Sequence, residues 1–346
     1  MKTTIGVGGY GRGGDIEDAI KHIQAAESLG VDSVWSAEAW GADAVTSLAF
    51  IAARTERIKI GTGIMQISAR APAMTAMTAL SLNNLSKGRF MLGLGASGPQ
   101  VVEGLHGAEY RFPLTRLRET LEICRLAFAG EKIRYDGRVH VLPRPNGEGK
   151  AIRIDAQPAD IPIYLATLSP NSLEYTGAAA DGWLGTSFSP DHPEAHFEHI
   201  EKGAKSAGRT LANIDLCTAV TIGISDDVQG LINDRKPGVA FNMGGMGSAQ
   251  TNFYNDAFKR AGYVDDAIAV QELWMQKKHA EAAERVPDEM VTKFQALGTR
   301  DMVRERLQKY KDVGVNTLNL RLDTAKTPED RTKLLEDVME IIAELD

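Results

Sequence analysis

Residues 58–103 read IKIGTGIMQISARAPAMTAMTALSLNNLSKGRFMLGLGASGPQVVE: an apolar run, a helical stretch and a second apolar run. Ile58, Ile60, Thr62 and Ile64, and then Phe90, Leu92 and Leu94, alternate as β segments do. Between them Met74, Met77, Leu80 and Leu85 recur at helical spacing. This is a βαβ unit, which implies two parallel strands and a right-handed crossover. Each strand ends on unusual chemistry. The first closes on Gly63-Ile64 and runs into Ser68, Ala69 and Arg70. The second closes on Gly93, Gly95, Ala96, Ser97 and Gly98, a backbone bare enough to press against a flat ligand.

The same beat extends in both directions. Before the unit come TTIGVGGY with a helix over 15–28 and VDSVWSAE with a helix over 43–55. After it come IPIYLAT, DGWLGTS, IDLCTAVTIGIS and NTLNLRL, with helices over 172–180, 193–207, 300–313 and 328–345. Two excursions interrupt the rhythm. Residues 98–160 carry a helix over 115–129, with Leu117, Leu121 and Leu126 on its apolar face, and a hairpin around Tyr135-Asp136-Gly137. Residues 226–293 are rich in Gly, Asn and Met. Eight strand–helix units predict an α/β fold, a (β/α)8 TIM barrel with insertions after strands 4 and 7, as one domain over 1–346. A doubly wound open sheet is the alternative. In a barrel both insertions rise from the face that carries catalytic groups.

Composition narrows the function. The 346 residues are 43% hydrophobic and 25% charged, enough to bury a full core. A net charge of −7 with interspersed signs gives no basic surface for nucleic acid. The start MKTTIGVGG lacks a basic segment leading an apolar one, and no run of 18 apolar residues occurs, so a cytoplasmic protein with no membrane partner is expected. Cys124, in a helix, and Cys217, in a strand, fit a reducing compartment and have no nucleophile's setting.

Several motifs have two readings. Gly9-Tyr-Gly11-Arg-Gly-Gly14 and Gly93-Leu-Gly95-Ala-Ser-Gly98 both match G-x-G-x-x-G, but Gly98 leads into Pro99 and an excursion rather than a dinucleotide helix. Thr167-Leu168-Ser169-Pro170-Asn171-Ser172 joins a strand to a helix, either as an anion site at the free N–H groups or as ordinary capping. His192, His196 and His199 could line a helix edge, yet that edge reads as solvated and no metal site is expected. Glu38 ends the second strand next to Trp40 and Asp43, where a carboxylate acts in chemistry or caps the next helix. Asn242-Met-Gly-Gly-Met-Gly247 reads as a Gly-rich turn, either a ligand clamp or a plain loop.

The run from LGVDSVWSAE through GASGPQVVEG, with DGWLGTSFSP, GGMGSAQTNF and ALGTRDMVRERLQKYKDVGVNTL, resembles the bacterial-luciferase-like superfamily in its branch of deazaflavin (coenzyme F420)-dependent oxidoreductases. The resemblance covers nearly the whole chain. It implies a (β/α)8 barrel that uses the deazaflavin for hydride transfer to or from a small organic substrate (an imine, activated alkene, carbonyl or C1 carrier). It also implies a homodimer. FMN-dependent monooxygenation and a non-enzymatic flavin-binding barrel are the alternatives. By position, the family's bulge after strand 3 falls on Gly63-Ile64, where a cis peptide bond is expected to back the ring. Its strand 4 pocket falls on Ala96-Ser97-Gly98, and its cofactor phosphate site on Thr167, Leu168, Ser169, Pro170 and Asn171. Arg70 is expected to meet charged parts of the cofactor. Glu38 and Glu103 are the candidate catalytic carboxylates. Relatives often follow the first with a histidine; this chain has Ala39.

Overall fold

Eight parallel strands close on themselves in the computed structural model, which describes residues 1–7, 14–248 and 250–345. In chain order they are β1 (Lys2–Gly6), β2 (Ser33–Ser36), β3 (Lys59–Thr62), β4 (Phe90–Gly95), β5 (Ile163–Leu165), β6 (Gly182–Gly185), β7 (Asp215–Ile224) and β8 (Thr317–Arg321). Each pairs with its neighbour in sequence. β8 returns to β1 with Lys2 opposite Thr317 and Ile5 opposite Leu320, which leaves no open edge. The expected (β/α)8 barrel is the observed fold. The Gly9–Gly14 motif, apart from Gly14, lies outside the described residues.

Alternation along the strands sorts side chains into two cores. Val34, Ile60, Leu92, Leu94, Ile163, Leu165, Trp183, Val220 and Leu318 face the surrounding helices. Trp35, Met91 and Tyr164 form a separate cluster in the lumen, with the Trp35 and Tyr164 rings edge-on at 5.2 Å. Glycines make room for them. A Cβ at Gly61 would lie 2.4 Å from the Trp35 ring, and one at Gly182 would lie 2.1 Å from that of Tyr164. The Tyr164 hydroxyl donates to Asp215 at 2.9 Å. The lumen is therefore filled, and a ligand can enter only at the strand ends.

The helices begin where caps predict. Asp15 accepts from the Glu17 N–H ahead of Ile16–Ser28, and Asp43 from the Thr46 N–H ahead of Ala44–Arg54. The helix Pro72–Leu85 departs from a simple reading of its pattern. Met74, Met77 and Leu85 are 50%, 45% and 64% exposed, while Thr75, Ala76, Ala79 and Leu82 are buried. Leu80, as expected, and Leu82 pack inward with the small residues, while both methionines and Leu85 point outward.

Both insertions stand at the C-terminal end of the barrel. After β4 come a four-residue helix, Pro99–Val102, and then the longer helix Pro113–Phe128. A short helix thus does open at Gly98, contrary to the plain excursion expected there. The hairpin Tyr135–Asp136 with Val141–Leu142 is held by the buried Glu119, whose oxygens accept the N–H groups of Arg138 (2.7 Å), Val139 (3.0 Å) and His140 (2.7 Å). The insertion after β7 runs through Val228–Gly244, Phe253–Arg260, Val264–Met275, His279–Glu284 and Asp288–Phe294, around Met243, Phe258, Val270 and Met290. Half of the Gly-rich stretch expected as a turn, Asn242 to Gly244, ends the helix Val228–Gly244, and the rest turns out of it. A Cβ at Gly244 would lie 2.3 Å from Trp274, so the glycine serves helix packing.

Candidate active site at the mouth of the barrel

The step between β3 and the short strand Met65–Gln66 organises the mouth. The Gly63–Ile64 peptide bond is cis, as expected. Gly63 N–H donates to Ser36 O at 2.7 Å, and Glu38 N–H donates to Ile64 O at 3.0 Å, so β2 grips the step on both sides. A Cβ at Gly63 would sit 3.0 Å from that of Trp35. On the other side Ile64 packs over Gly95, where an added Cβ would lie 3.0 Å from Ile64 Cγ1. Gly93 is tighter: its Cβ would lie 1.9 Å from Thr62 O. Two of the glycines expected to face a ligand thus serve the contact between β3 and β4. Gly98 does not, since only Gln100 Oε1 lies near its would-be Cβ, at 3.6 Å. Between them Ser97 adopts a left-handed backbone with φ 59°. Such conformations in residues other than glycine gather at functional sites.

Glu38 is buried, at 8% exposure, and both of its oxygens are engaged. Oε1 accepts the Ala44 N–H at 3.2 Å; Oε2 accepts the Gln66 N–H at 3.2 Å and Arg70 Nη1 at 2.6 Å. One carboxylate thereby joins the start of the helix Ala44–Arg54, the strand after the bulge and the Arg70 loop. It takes up the charge of Arg70, the cation expected to meet a ligand anion. A shielded pair of this kind is costly to break from one side, about 3–5 kcal/mol. Glu103 lies apart, exposed at the end of Pro99–Val102, and accepts the Tyr110 N–H at 3.2 Å. Tyr110 in turn donates to Ser97 O at 3.5 Å.

Thr167 to Asn171 lead into the helix Pro170–Ala179. Ser169 makes no capping bond; its hydroxyl pairs with that of Ser172 at 2.8 Å, which leaves the first-turn N–H groups open for an anion. Thr167 pairs with Thr176 at 2.7 Å and takes the Trp183 indole N–H on its carbonyl at 3.0 Å. Arg260, from the insertion after β7, donates to Leu168 O at 2.6 Å and to Ala195 O at 3.2 Å.

Three polar atoms near the mouth have no partner among the described residues: Trp35 Nε1, Gln66 Oε1 and Ser187 Oγ. Gln66 is itself buried, and its Nε2 is paired with His106 Nε2 at 2.7 Å. Ser187 follows β6 and, like Ser97, is left-handed with φ 51°. Reading the sequence singled out none of Gln66, His106, Ser187 or Arg260. The only signal for them was their position just past strand ends or within the insertions.

The three histidines differ in setting: His192 and His199 are half-buried beside Glu194 and Glu174. His196 is buried among Trp183, Phe188 and Phe197, and burial, with Arg260 and His199 nearby, holds its pKa down to about 3. Among the described residues no group of three His, Cys, Asp or Glu side chains could hold a metal ion. Both cysteines are buried and free, and burial pushes the Cys124 thiol up to about 12.

Comparison with known proteins agrees with this architecture. A model of the luciferase-like monooxygenase family matches residues 1–317. A Mycobacterium tuberculosis protein named as a coenzyme F420-dependent oxidoreductase is 37% identical over 322 residues, covering 90% of this chain and 93% of that one. The 5,10-methylenetetrahydromethanopterin reductase of Archaeoglobus fulgidus is 29% identical over 85% of this chain and 86% of its own. Among solved structures, the coenzyme F420-dependent tetrahydromethanopterin reductase of Methanopyrus kandleri superposes with a TM-score of 0.77 at 25% identity, covering 94% of this chain and 95% of that one. An FMN-bound Baeyer–Villiger monooxygenase of Pseudomonas putida reaches 0.70 at 18% identity over 99% and 98% of the two chains, a likeness of fold alone. Barrel, strand-end site and sequence together show that this chain belongs to the luciferase-like monooxygenase family.

Proposed function

We propose that this protein is a coenzyme F420-dependent oxidoreductase that moves a hydride between the deazaflavin and a small organic substrate of the imine, activated-alkene, carbonyl or C1-carrier class. One observation of the site supports it most. Buried polar atoms without partners occur on Gln66 and Ser187, at or just past strand ends, and on Trp35 in the aromatic cluster of the lumen. That setting suits a flat ring with polar edges, because each orphaned group is costly until a ligand satisfies it. The named functions of the M. tuberculosis and A. fulgidus relatives support the choice of cofactor and of a C1 carrier among the substrates.

When bound, the deazaflavin supplies two-electron hydride chemistry; the chain's own residues hold it and manage protons. In this reading Gly63-Ile64 backs the ring, with Ile64 as the apolar surface and Ala96, Ser97 and Gly98 along its side. Thr167, Leu168, Ser169, Pro170 and Asn171 take an anionic group at the helix N-terminus. Arg70 acts through Glu38, and Glu38 and Glu103 are the candidates for moving protons. The ring contacts do not separate the deazaflavin from FMN; the tails do. The test is anaerobic mixing of the protein with the reduced deazaflavin and a panel of acceptors, followed by cofactor absorbance. Acceptor-dependent oxidation is expected. Tight binding with no turnover for any acceptor would leave a non-enzymatic carrier.

The resemblance implies a homodimer, and we propose the exposed apolar stripe Met74, Met77 and Leu85 as its contact. Sedimentation as a monomer would remove that part.

A further inference from the structure

Outside the site just described, the densest unpaired positive charge near the mouth surrounds one ring. Phe112, left-handed at φ 51°, precedes the helix Pro113–Phe128 and caps it with no side-chain bond. The Arg138 guanidinium lies 3.6 Å from the centre of its ring, and that of Arg111 lies 4.7 Å away. Arg116 stands one helical turn on, with its N–H on Phe112 O at 2.9 Å. Among the described residues Arg116 and Arg138 have no carboxylate within ion-pair distance, and Arg111 has only Glu109, at 3.8 Å and exposed. The nearest buried carboxylate, Glu119, points inward to three peptide N–H groups. Guanidiniums stacked on an aromatic ring lose little further freedom when they meet an anion, so the cluster is organised before a ligand arrives.

The position of the cluster matters as much as its charge. Arg111 and Arg116 share a cleft with Glu109, Tyr110, Ser68, Ile67 and Ala96, so this surface meets the proposed cofactor site at Ala96. Arg118, two residues beyond Arg116, lies 4.9 Å from the ring of Tyr175, in the second turn of the helix that begins at Pro170. Arg70, the cation nearest the bulge, is held by Glu38 and cannot serve a distal anion without breaking that pair.

We propose that Arg111, Arg116 and Arg138 form an anion-binding surface that receives carboxylates extending from the ligand at the mouth, namely the acidic tail of the deazaflavin. This rests on the oxidoreductase reading above. The same chemistry would also recognise a polycarboxylate substrate, and the experiment separates the two sources.

Binding is measured by fluorescence titration for three probes: the tail-bearing coenzyme, the tail-less deazaflavin and a free γ-linked triglutamate. Each is titrated into the wild type, Arg138→Gln, Arg111→Gln/Arg138→Gln and Arg138→Lys, after thermal melts show that each variant folds. The tail-bearing coenzyme is expected to bind the double variant at least about tenfold more weakly, and to lose affinity steeply with added salt in the wild type. The tail-less form is expected to change less than about twofold, and Arg138→Lys to recover only part of the affinity, since an ammonium keeps the charge but not the planar stacking on Phe112. Equal losses for both coenzyme forms, or none for either, would overturn the proposal and leave the oxidoreductase reading standing. Arginine-dependent binding of triglutamate without binding of any deazaflavin would keep the anion surface, assign it to a substrate and sink the cofactor reading. Failure of all three probes removes both.

Discussion

Glu38 was legible as a functional candidate because it ends a strand, but its partners were not. Sequence spacing gives no hint that its two oxygens collect Ala44, Gln66 and Arg70, which come from three separate segments. Arg70 was expected to meet charged parts of the cofactor, whereas the fold commits it to a carboxylate 32 residues away in sequence. In the proposed mechanism Glu38 joins proton handling with orientation of the bulge. Glu38→Gln is then expected to lower kcat by ~10²–10⁴-fold, the usual range for a general acid–base group, while deazaflavin affinity changes far less. A lowered melting temperature with kcat per folded molecule unchanged would assign Glu38 to structure alone.

At the scale of elements, the βαβ unit over 58–103 was read well because alternation and helical spacing report directly on burial. The glycines of β4 were read only in part. A bare backbone signals close approach, but not to what: Gly93 approaches Thr62 O, Gly95 approaches Ile64, and Gly98 has only Gln100 Oε1 near its would-be Cβ, at 3.6 Å. This yields a contrast within one strand end. Gly93→Ala should destabilise the fold by about 1–3 kcal/mol through overpacking against rigid backbone, seen as a lower denaturation midpoint. Gly98→Ala, at φ −115°, should keep wild-type stability and weaken deazaflavin binding. Loss of stability in the second variant, with binding per folded molecule intact, would take Gly98 out of the site. The insertions were visible as breaks in rhythm, but their internal packing was not. The Asn242–Gly247 stretch reads as a turn by composition, and only Trp274 above it shows why glycine is needed in a helix. Likewise nothing local in the sequence joins Arg138 to Phe112, because the hairpin that brings them together hangs on the buried Glu119.

For the whole molecule, closure of the barrel buries two histidines in the neutral form. His22 is held down to about 4 by burial and by Arg331, and His196 to about 3 mainly by burial. In the unfolded chain both would take up a proton near their ordinary value of about 6.5. The unfolded state therefore binds more protons below that pH, and stability should fall as pH drops from about 6.5 toward 4, by up to about 1.4 kcal/mol per pH unit for each histidine. His196→Phe, within its aromatic cluster, should flatten the slope in urea melts run from pH 7 to 5; an unchanged slope would mean that His196 takes up a proton in the fold. The same closure fills the lumen with Trp35, Met91 and Tyr164 and confines chemistry to the mouth, the place that the proposed function gives to a deazaflavin. The most direct test is retention of cofactor: the protein is mixed with equal amounts of coenzyme F420 and FMN, passed through gel filtration, and the absorbance of the protein peak is read. Retention of the deazaflavin in preference to FMN, weakened by salt, is the expected result; preferential retention of FMN would contradict the proposed function.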